Sequence, residues 1–303
     1  MKSNLPALGA GLAAASIWGG MYVVSKVVLD VIPPFALLSL RLCLGFLVLA
    51  VVVVLGGGFR STHRQALSAV AVGFVGYGIS LGFQFVGTKL STASNGALVT
   101  SATPVLVFLF AKIILGEHLG ARKILAVTIA CLGVLAVIAP WSAATADSAS
   151  ISPASASMIL GNLSLLGAAL TWALYSVLVR LISKGGALLE STALMFLGGL
   201  PTSLIFGAIE IAAKPLGTIS LALIVGILYL GIVSTAGAMY LWNYAFSKLP
   251  AASASLTFFA QPVVGTLLGW ALLGETIKPL FLAGGALIGI GIYLAASRSA
   301  LAK

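Results

Sequence analysis

Six carboxylates, two imidazoles and two thiols are all that the 303 residues offer to acid–base, nucleophilic or metal chemistry. The carboxylates are Asp30, Glu117, Asp147, Glu190, Glu210 and Glu275, and each falls at an expected helix end or in a loop. His63 and His118 lie in loops as well. Cys43 and Cys131 sit inside apolar runs, which indicates two buried thiols and no disulfide framework. Hydrolases and proteases need a nucleophile with a base, or metal ligands. No Cys–His, Ser–His–Asp or His-x-x-His arrangement falls inside an apolar run, so the pattern points away from an enzyme and implies no cofactor and no metal.

The remaining chemistry is that of amides, hydroxyls and aromatic rings. Gln84 and Asn243 lie in the middle of apolar stretches, where an amide must find partners. On helical spacing Tyr77, Ser80 and Gln84 share one face, and Met239, Tyr240 and Asn243 share another. Two such faces can hydrogen-bond a zwitterion and pack against its side chain. They can equally serve as polar glue between helices. Trp18 and Trp172, with Tyr22 and Tyr175 one turn on, fit an interfacial belt by residue type. Their depth argues for a cavity wall instead, since Trp18 lies about 12 residues, or about 18 Å, into its apolar run. Pro104 and Pro262 each remove a backbone hydrogen bond near the middle of a stretch, with Ser101, Thr103, Phe259 and Gln261 beside them. Such breaks mark sites and moving parts in transporters, or are static kinks.

The elements that must position these residues follow from composition. The chain is 60% apolar and only 7% charged, with a mean hydropathy of +1.18. An average soluble domain carries about 25% charged residues, so a soluble surface cannot be built. The net charge of +10 is a scatter of Lys and Arg between apolar runs, which excludes a nucleic-acid-binding patch. Polar breaks mark ten spans, at about 6–29, 34–55, 66–88, 92–115, 121–140, 157–182, 189–211, 218–246, 251–273 and 279–297. The prediction is an all-α integral membrane protein of ten transmembrane helices.

An internal repeat organises the spans. Pro104 and Gly116-Glu117 recur as Pro262 and Gly274-Glu275 at an offset of 158. Gln84 matches Asn243 at 159, and Trp18 and Lys26 match Trp172 and Arg180 at 154. Residues 1–141 and 157–303 are thus two five-span repeats, joined by an Ala/Ser-rich linker over 142–156. The opening segment, which could pass for a signal peptide, is part of the first repeat. Five is odd, so the second repeat enters the membrane inverted. Charge agrees. One side collects Lys2, Arg60, Arg64, Lys112, Arg122, Lys123, Arg180, Lys184, Lys248, Arg298 and Lys303, against Lys89, Lys214 and Lys278 on the other. The positive-inside rule then puts both termini in the cytoplasm.

Two five-helix halves, Trp18-Gly19-Gly20 in the first helix, and a proline followed twelve residues later by Gly-Glu in each half resemble the EamA branch of the drug/metabolite transporter superfamily. Overall likeness is greatest to the YddG-type exporters of aromatic and other amino acids. The resemblance implies two inverted repeats around a central cavity, lined by helices 1, 3, 4, 6, 8 and 9, with helices 5 and 10 outside. It implies export of amino acids with apolar or aromatic side chains across a bacterial inner membrane by alternating access. Without a carboxylate near mid-membrane, the usual proton relay, facilitated transport or exchange is expected. A drug, metabolite or nucleotide-sugar carrier and a proton antiporter are the alternatives within transport. A non-transporting membrane enzyme or scaffold is the alternative outside it.

The cavity residues expected on these grounds are Trp18, Tyr22, Tyr77, Ser80, Gln84, Ser101, Trp172, Tyr175, Met239, Tyr240, Asn243, Phe259 and Gln261, with Pro104 and Pro262 as hinges. Gly116 and Gly274 should end helices, leaving Glu117 and Glu275 in the headgroup zone or paired with Lys278 or Arg122 across a gate. Lys26 and Arg180 are expected to snorkel. Arg41, about 7 residues into the second span, has no matching cation in the other half. It is expected to hold a helix C-terminus or a substrate carboxylate, with the structural role ahead. Expected partners are an amino-acid substrate and the lipid bilayer, and no nucleic acid. The chain is expected to be a monomer, with Gly285-x-x-x-Gly289 offering a dimer face.

Overall fold

The computed structural model describes residues 5–116, 121–138, 153–182, 188–213, 216–249, 251–277 and 279–296. Among them there is no β-strand. The helices run as α1 (Leu5–Leu29), α2 (Pro34–Leu55), α3 (His63–Leu90), α4 (Ala93–Leu115), α5 (Ala121–Ile138), α6 (Pro153–Ile182), α7 (Leu188–Ala213) and α8 (Leu221–Lys248). The consecutive segments Ala251–Leu256, Thr257–Phe259 and Ala260–Leu273 make α9, and Pro279–Ala296 is α10. Seven of them, α1 to α4 and α6 to α8, are long and apolar enough to cross a membrane among the described residues. The sequence-predicted linker shortens, because α6 already begins at Pro153. Proline suits the first helical turn, where its missing N–H would have no partner anyway.

Polarity runs opposite to that of a soluble protein. Val51, Val54 and Leu55 of α2 and Leu204, Ile205 and Ile209 of α7 are exposed, whereas Arg41, Tyr22, Tyr77, Tyr175 and Trp242 are among the most deeply buried side chains. Such a surface is stable only against hydrocarbon. Cys43 is half-buried and Cys131 is exposed on the apolar surface rather than buried; both are free thiols.

Packing has an internal symmetry. α1 lies against α8 and α9, and α6 lies against α3 and α4. α2 packs on α7, and α5 on α10. Exchanging each helix for the one five places on leaves this pattern unchanged. Local geometry repeats too. The third helix of each half carries a π-helical segment, Phe74–Ser80 in α3 and Tyr229–Gly237 in α8. Gly116 and Gly274 end α4 and α9 with φ of 70° and 64°. This left-handed cap favours glycine because no Cβ is present to clash.

The two prolines do not sit within unbroken helices. α4 stops at Thr100 and restarts at Thr103, so Pro104 occupies the first turn of the second piece. Lacking an N–H, Pro104 cannot bond the Thr100 carbonyl. The Thr103 hydroxyl donates to it instead, at 2.6 Å. Ser101 Oγ donates to the Leu98 carbonyl at 2.6 Å. In α9 a 3₁₀ turn, Thr257–Phe259, precedes the segment that carries Pro262.

The charged residues expected at the membrane rim are tied to helix ends. Lys26 Nζ donates to the carbonyls of Thr88 (3.1 Å), Lys89 (3.0 Å) and Ser91, closing the end of α3. Lys89 returns the contact to the Leu29 carbonyl at 2.7 Å. Arg180, the repeat mate of Lys26, donates to the Leu249 carbonyl at 3.0 Å. The described glutamates accept from backbone amides instead, Glu210 and Glu275 at helix starts and Glu190 in the loop ahead of α3. Glu190 accepts from the Arg60 and Ser61 amides, Glu210 from those of Phe35 and Ala36, and Glu275 from those of Ala93 and Ser94. Glu275 is therefore a cap on α4 and not a free headgroup residue, because orphan N–H groups at a helix start attract a carboxylate. Glu117 and Lys278 lie outside the described residues.

Glycines set the closest helix contact. A Cβ on Gly198 would lie 2.0 Å from the Val70 carbonyl oxygen, and one on Gly73 would lie 1.9 Å from that of Met195. α3 and α7 thus touch backbone to backbone. Gly285 of the expected dimer face meets only Leu98, at 3.6 Å, and Gly289 has nothing within 4 Å. Gly198→Ala should lower the thermal unfolding midpoint of the detergent-solubilised protein, at a cost of about 1–3 kcal/mol. Gly289→Ala should leave the midpoint unchanged. Equal midpoints for both variants would refute the close contact.

Candidate functional site

The π-helical segments and the α4 and α9 breaks meet around one central cavity. It holds about 360 Å³ of space between side chains, including its open mouth. Its lining comes from α1, α3, α4, α6, α8 and α9, the six helices implied by the family resemblance.

Trp18, Tyr22, Ser80, Gln84, Trp172, Met239 and Gln261 all line it. Trp18 and Trp172, the repeat mates, meet edge to face with ring centroids 5.4 Å apart. Phe258 packs 5.9 Å from Trp18. Three rings thus form an aromatic wall, a geometry that suits stacking and apolar burial. The polar part is a relay. Gln261 Nε2 donates to Thr100 Oγ1 at 2.6 Å, and the Tyr22 hydroxyl meets the same oxygen at 2.9 Å. Thr100 Oγ1 in turn donates to the Gly96 carbonyl at 2.7 Å. Ser80 Oγ is engaged by the Ala168 carbonyl at 2.8 Å.

The two tryptophans differ in one respect. Trp18 Nε1 donates to the Ser234 carbonyl at 3.0 Å. Trp172 Nε1 is buried and has no hydrogen-bond partner. Leaving such a donor unmade costs about 1–3 kcal/mol.

The other expected residues lie elsewhere. Tyr77 and Tyr175 bond each other at 2.5 Å, and Tyr175 donates to Asn243 Oδ1 at 3.1 Å. Asn243 Nδ2 donates to Thr192 at 3.0 Å. These three form a fully buried cluster joining α3, α6, α7 and α8 behind the wall, with Trp172 packed 4.6 Å from Tyr175. Ser101 is turned onto its own backbone. Tyr240 lies alongside Tyr244, at 6.4 Å between centroids. Phe259 yields its expected place to Phe258. Sequence reasoning also missed Met21, Leu81, Thr100, Ala168 and Ala169 in the lining. The cause is local geometry. Tyr77 lies within a π-helical segment, Tyr240 just past one, and Phe259 in a 3₁₀ turn. Each changes the number of residues per turn, so a face counted at 3.6 residues slips. Small residues such as Ala168 carry no chemical signal at all.

Arg41 is fully buried on α2. Its Nε donates to Thr235 Oγ1 at 2.8 Å, and its guanidinium carbon lies 4.8 Å from the Phe85 ring centroid. Among the described residues its partners are side chains of α1, α3 and α8 rather than the expected helix C-terminus, so it ties four helices together.

The sequence profile of the EamA-like transporter family matches residues 5–139 and again residues 159–297. The chain belongs to this family. It is 26% identical over 280 residues to an "Uncharacterized transporter YyaM" of Bacillus subtilis, covering 91% of this chain and 89% of the relative. It is 26% identical over 296 residues to a "Probable amino-acid metabolite efflux pump" of Salmonella typhimurium, covering 93% and 92% respectively. A crystal structure at 22% identity superposes with a TM-score of 0.67 over 99% of this chain and 100% of the other, which shows a shared fold. Family and relatives alike carry the names of membrane transporters, not of enzymes, and the apolar helices make this EamA-family chain a multi-pass membrane protein.

Trp18→Phe should destabilise the ligand-free protein by about 1 kcal/mol, because it removes the buried hydrogen bond to the Ser234 carbonyl. Trp172→Phe should cost less, because it removes a donor that has no partner. Thermal unfolding of the two variants checks this, and a costlier Trp172→Phe would contradict the unpaired indole.

Proposed function

We propose that the protein exports amino acids with aromatic and other apolar side chains across a bacterial inner membrane. Substrate binds in the central cavity, and the two halves rock about the breaks in α4 and α9, beside Pro104 and Pro262, to expose it to either side. The chain crosses the membrane ten times as two inverted five-helix repeats, 1–141 and 157–303, with both termini in the cytoplasm. The repeat reading is supported by the double family match and by packing that survives exchange of the halves.

The observation that carries the substrate reading is the make-up of the cavity. An aromatic wall faces neutral amide and hydroxyl groups, and one buried indole N–H awaits an acceptor. Trp18, Trp172 and Phe258 take the apolar side chain. Gln84, Gln261 and the Tyr22–Thr100 pair hydrogen-bond the charged end. The name of the Salmonella relative points the same way. The described glutamates are engaged by backbone amides away from the lining, so the proposed cycle is facilitated or exchange transport and uses no carboxylate relay.

Flux of labelled Phe, Trp, Ala and Thr in proteoliposomes tests the proposal. Saturable flux is expected, competed far more strongly by other amino acids than by their decarboxylated amines, and insensitive to an imposed pH gradient. Trp172→Phe should raise KM several-fold. Movement of amines or dyes in place of amino acids would make this a drug or metabolite carrier. Acceleration by a pH gradient would make it a proton antiporter.

A further inference from the structure

Arg41 is a buried cation with no anion beside it among the described residues. Its guanidinium offers five N–H groups. They meet only neutral acceptors: Thr235 Oγ1 at 2.8 Å, Ser234 Oγ at 3.4 Å and the Met21 sulfur at 3.4 Å. No carboxylate pairs with it among the described residues: Asp30 is exposed, Glu210 and Glu275 are engaged at helix starts, and Glu190 is engaged in the loop ahead of α3. An uncompensated charge inside a membrane protein is costly and points to function. Thr235 has already directed its own hydroxyl to the Leu230 carbonyl, at 2.7 Å, and so only accepts from Arg41.

Only one side chain separates this cation from the cavity. Met21 lines the cavity, and its sulfur takes Arg41 Nη1 on one side and Gln84 Nε2, at 3.6 Å, on the other. Two good donors from α2 and α3 therefore converge on one thioether, a weak acceptor. A group with two anionic oxygens suits that convergence far better, and guanidinium matches carboxylate geometrically. Methionine has three rotatable side-chain bonds and repacks easily. Ser234 ties the same place to the aromatic wall, since its hydroxyl meets Arg41 while its carbonyl holds Trp18.

We propose that Arg41 and Gln84 form a carboxylate-binding site that Met21 covers in this conformation. The substrate's carboxylate displaces the Met21 sulfur, bonds to the guanidinium and the amide, and leaves its side chain against Trp18 and Trp172. The inference deepens the amino-acid reading above and rests on it for the identity of the substrate. It assigns the step that distinguishes an acid from its amine.

The test is binding to the purified full chain in nanodiscs, followed by fluorescence of the cavity tryptophans. The probes are 3-phenylpropanoate, which has the carboxylate alone, and 2-phenylethylamine, which lacks it. Arg41→Gln should weaken the acid about 30-fold or more and leave the amine unchanged, with Arg41→Lys in between. Failure of the wild type to bind the acid would overturn the proposal. So would a variant that keeps acid affinity, or one that loses acid and amine together. Should Arg41→Gln not fold, Met21→Ala serves in its place. It should tighten the acid several-fold relative to the amine; no relative shift overturns the site. The two readings fail separately. Arg41-dependent acid binding without amino-acid flux removes the amino-acid reading and keeps the site. Amino-acid flux with a carboxylate requirement that survives Arg41→Gln removes the site and keeps the reading.

Discussion

Backbone groups at helix ends have no water to turn to inside a bilayer, and that demand governs where this chain puts its charge. Lys26 and Lys89 close the ends of each other's neighbouring helices, and Arg180 does the same for α8. Glu210 and Glu275 take helix starts, and Glu190 holds the loop that leads into α3. The signs follow the helix dipole, with cations at carbonyl ends and carboxylates at amide ends. Every one of these caps joins two different helices, so the same contacts that satisfy the backbone also fix how the helices are arranged.

With charge committed to the ends, the middle of the bundle is built from neutral groups. Hydroxyls of Thr103, Ser101 and Thr100 repair or reinforce the backbone around the α4 break. The π-helical segments present Ser80 on one side of the cavity, and Ser234 and Thr235 behind the other. A cavity lined this way binds through hydrogen bonds and ring contacts. Arg41 is the exception, one fully buried cation set just behind that lining.

The family and the class of protein were legible in the sequence because they rest on period and composition. Apolar runs of membrane length, the paired Pro…Gly-Glu signature and the Trp18–Trp172 match all survive in a linear reading. Facing directions were legible for Trp18, Tyr22, Gln84 and Trp172, whereas Tyr175 and Asn243, also in regular helix, turn to each other because their neighbours lie on other helices. Facing also failed at Tyr77, Tyr240 and Phe259, where π or 3₁₀ geometry shifts the face. The charges at span ends looked like snorkelling groups, since a sequence does not show which distant carbonyl or amide needs a partner.

Sequence alone determined that the chain must live in a membrane, that its Pro…Gly-Glu pattern occurs twice, and that no carboxylate falls near the middle of an expected span. Each follows from the high cost of charge in hydrocarbon and from repeated spacing. Tertiary structure alone decided that Phe258 and Thr100 line the cavity, that Tyr77, Tyr175 and Asn243 close on one another, and that Arg41 and Gln84 converge on Met21. Those outcomes depend on which faces of non-adjacent helices meet, and on local pitch within α3, α8 and α9. Neither quantity is encoded in the spacing of residues along a single helix.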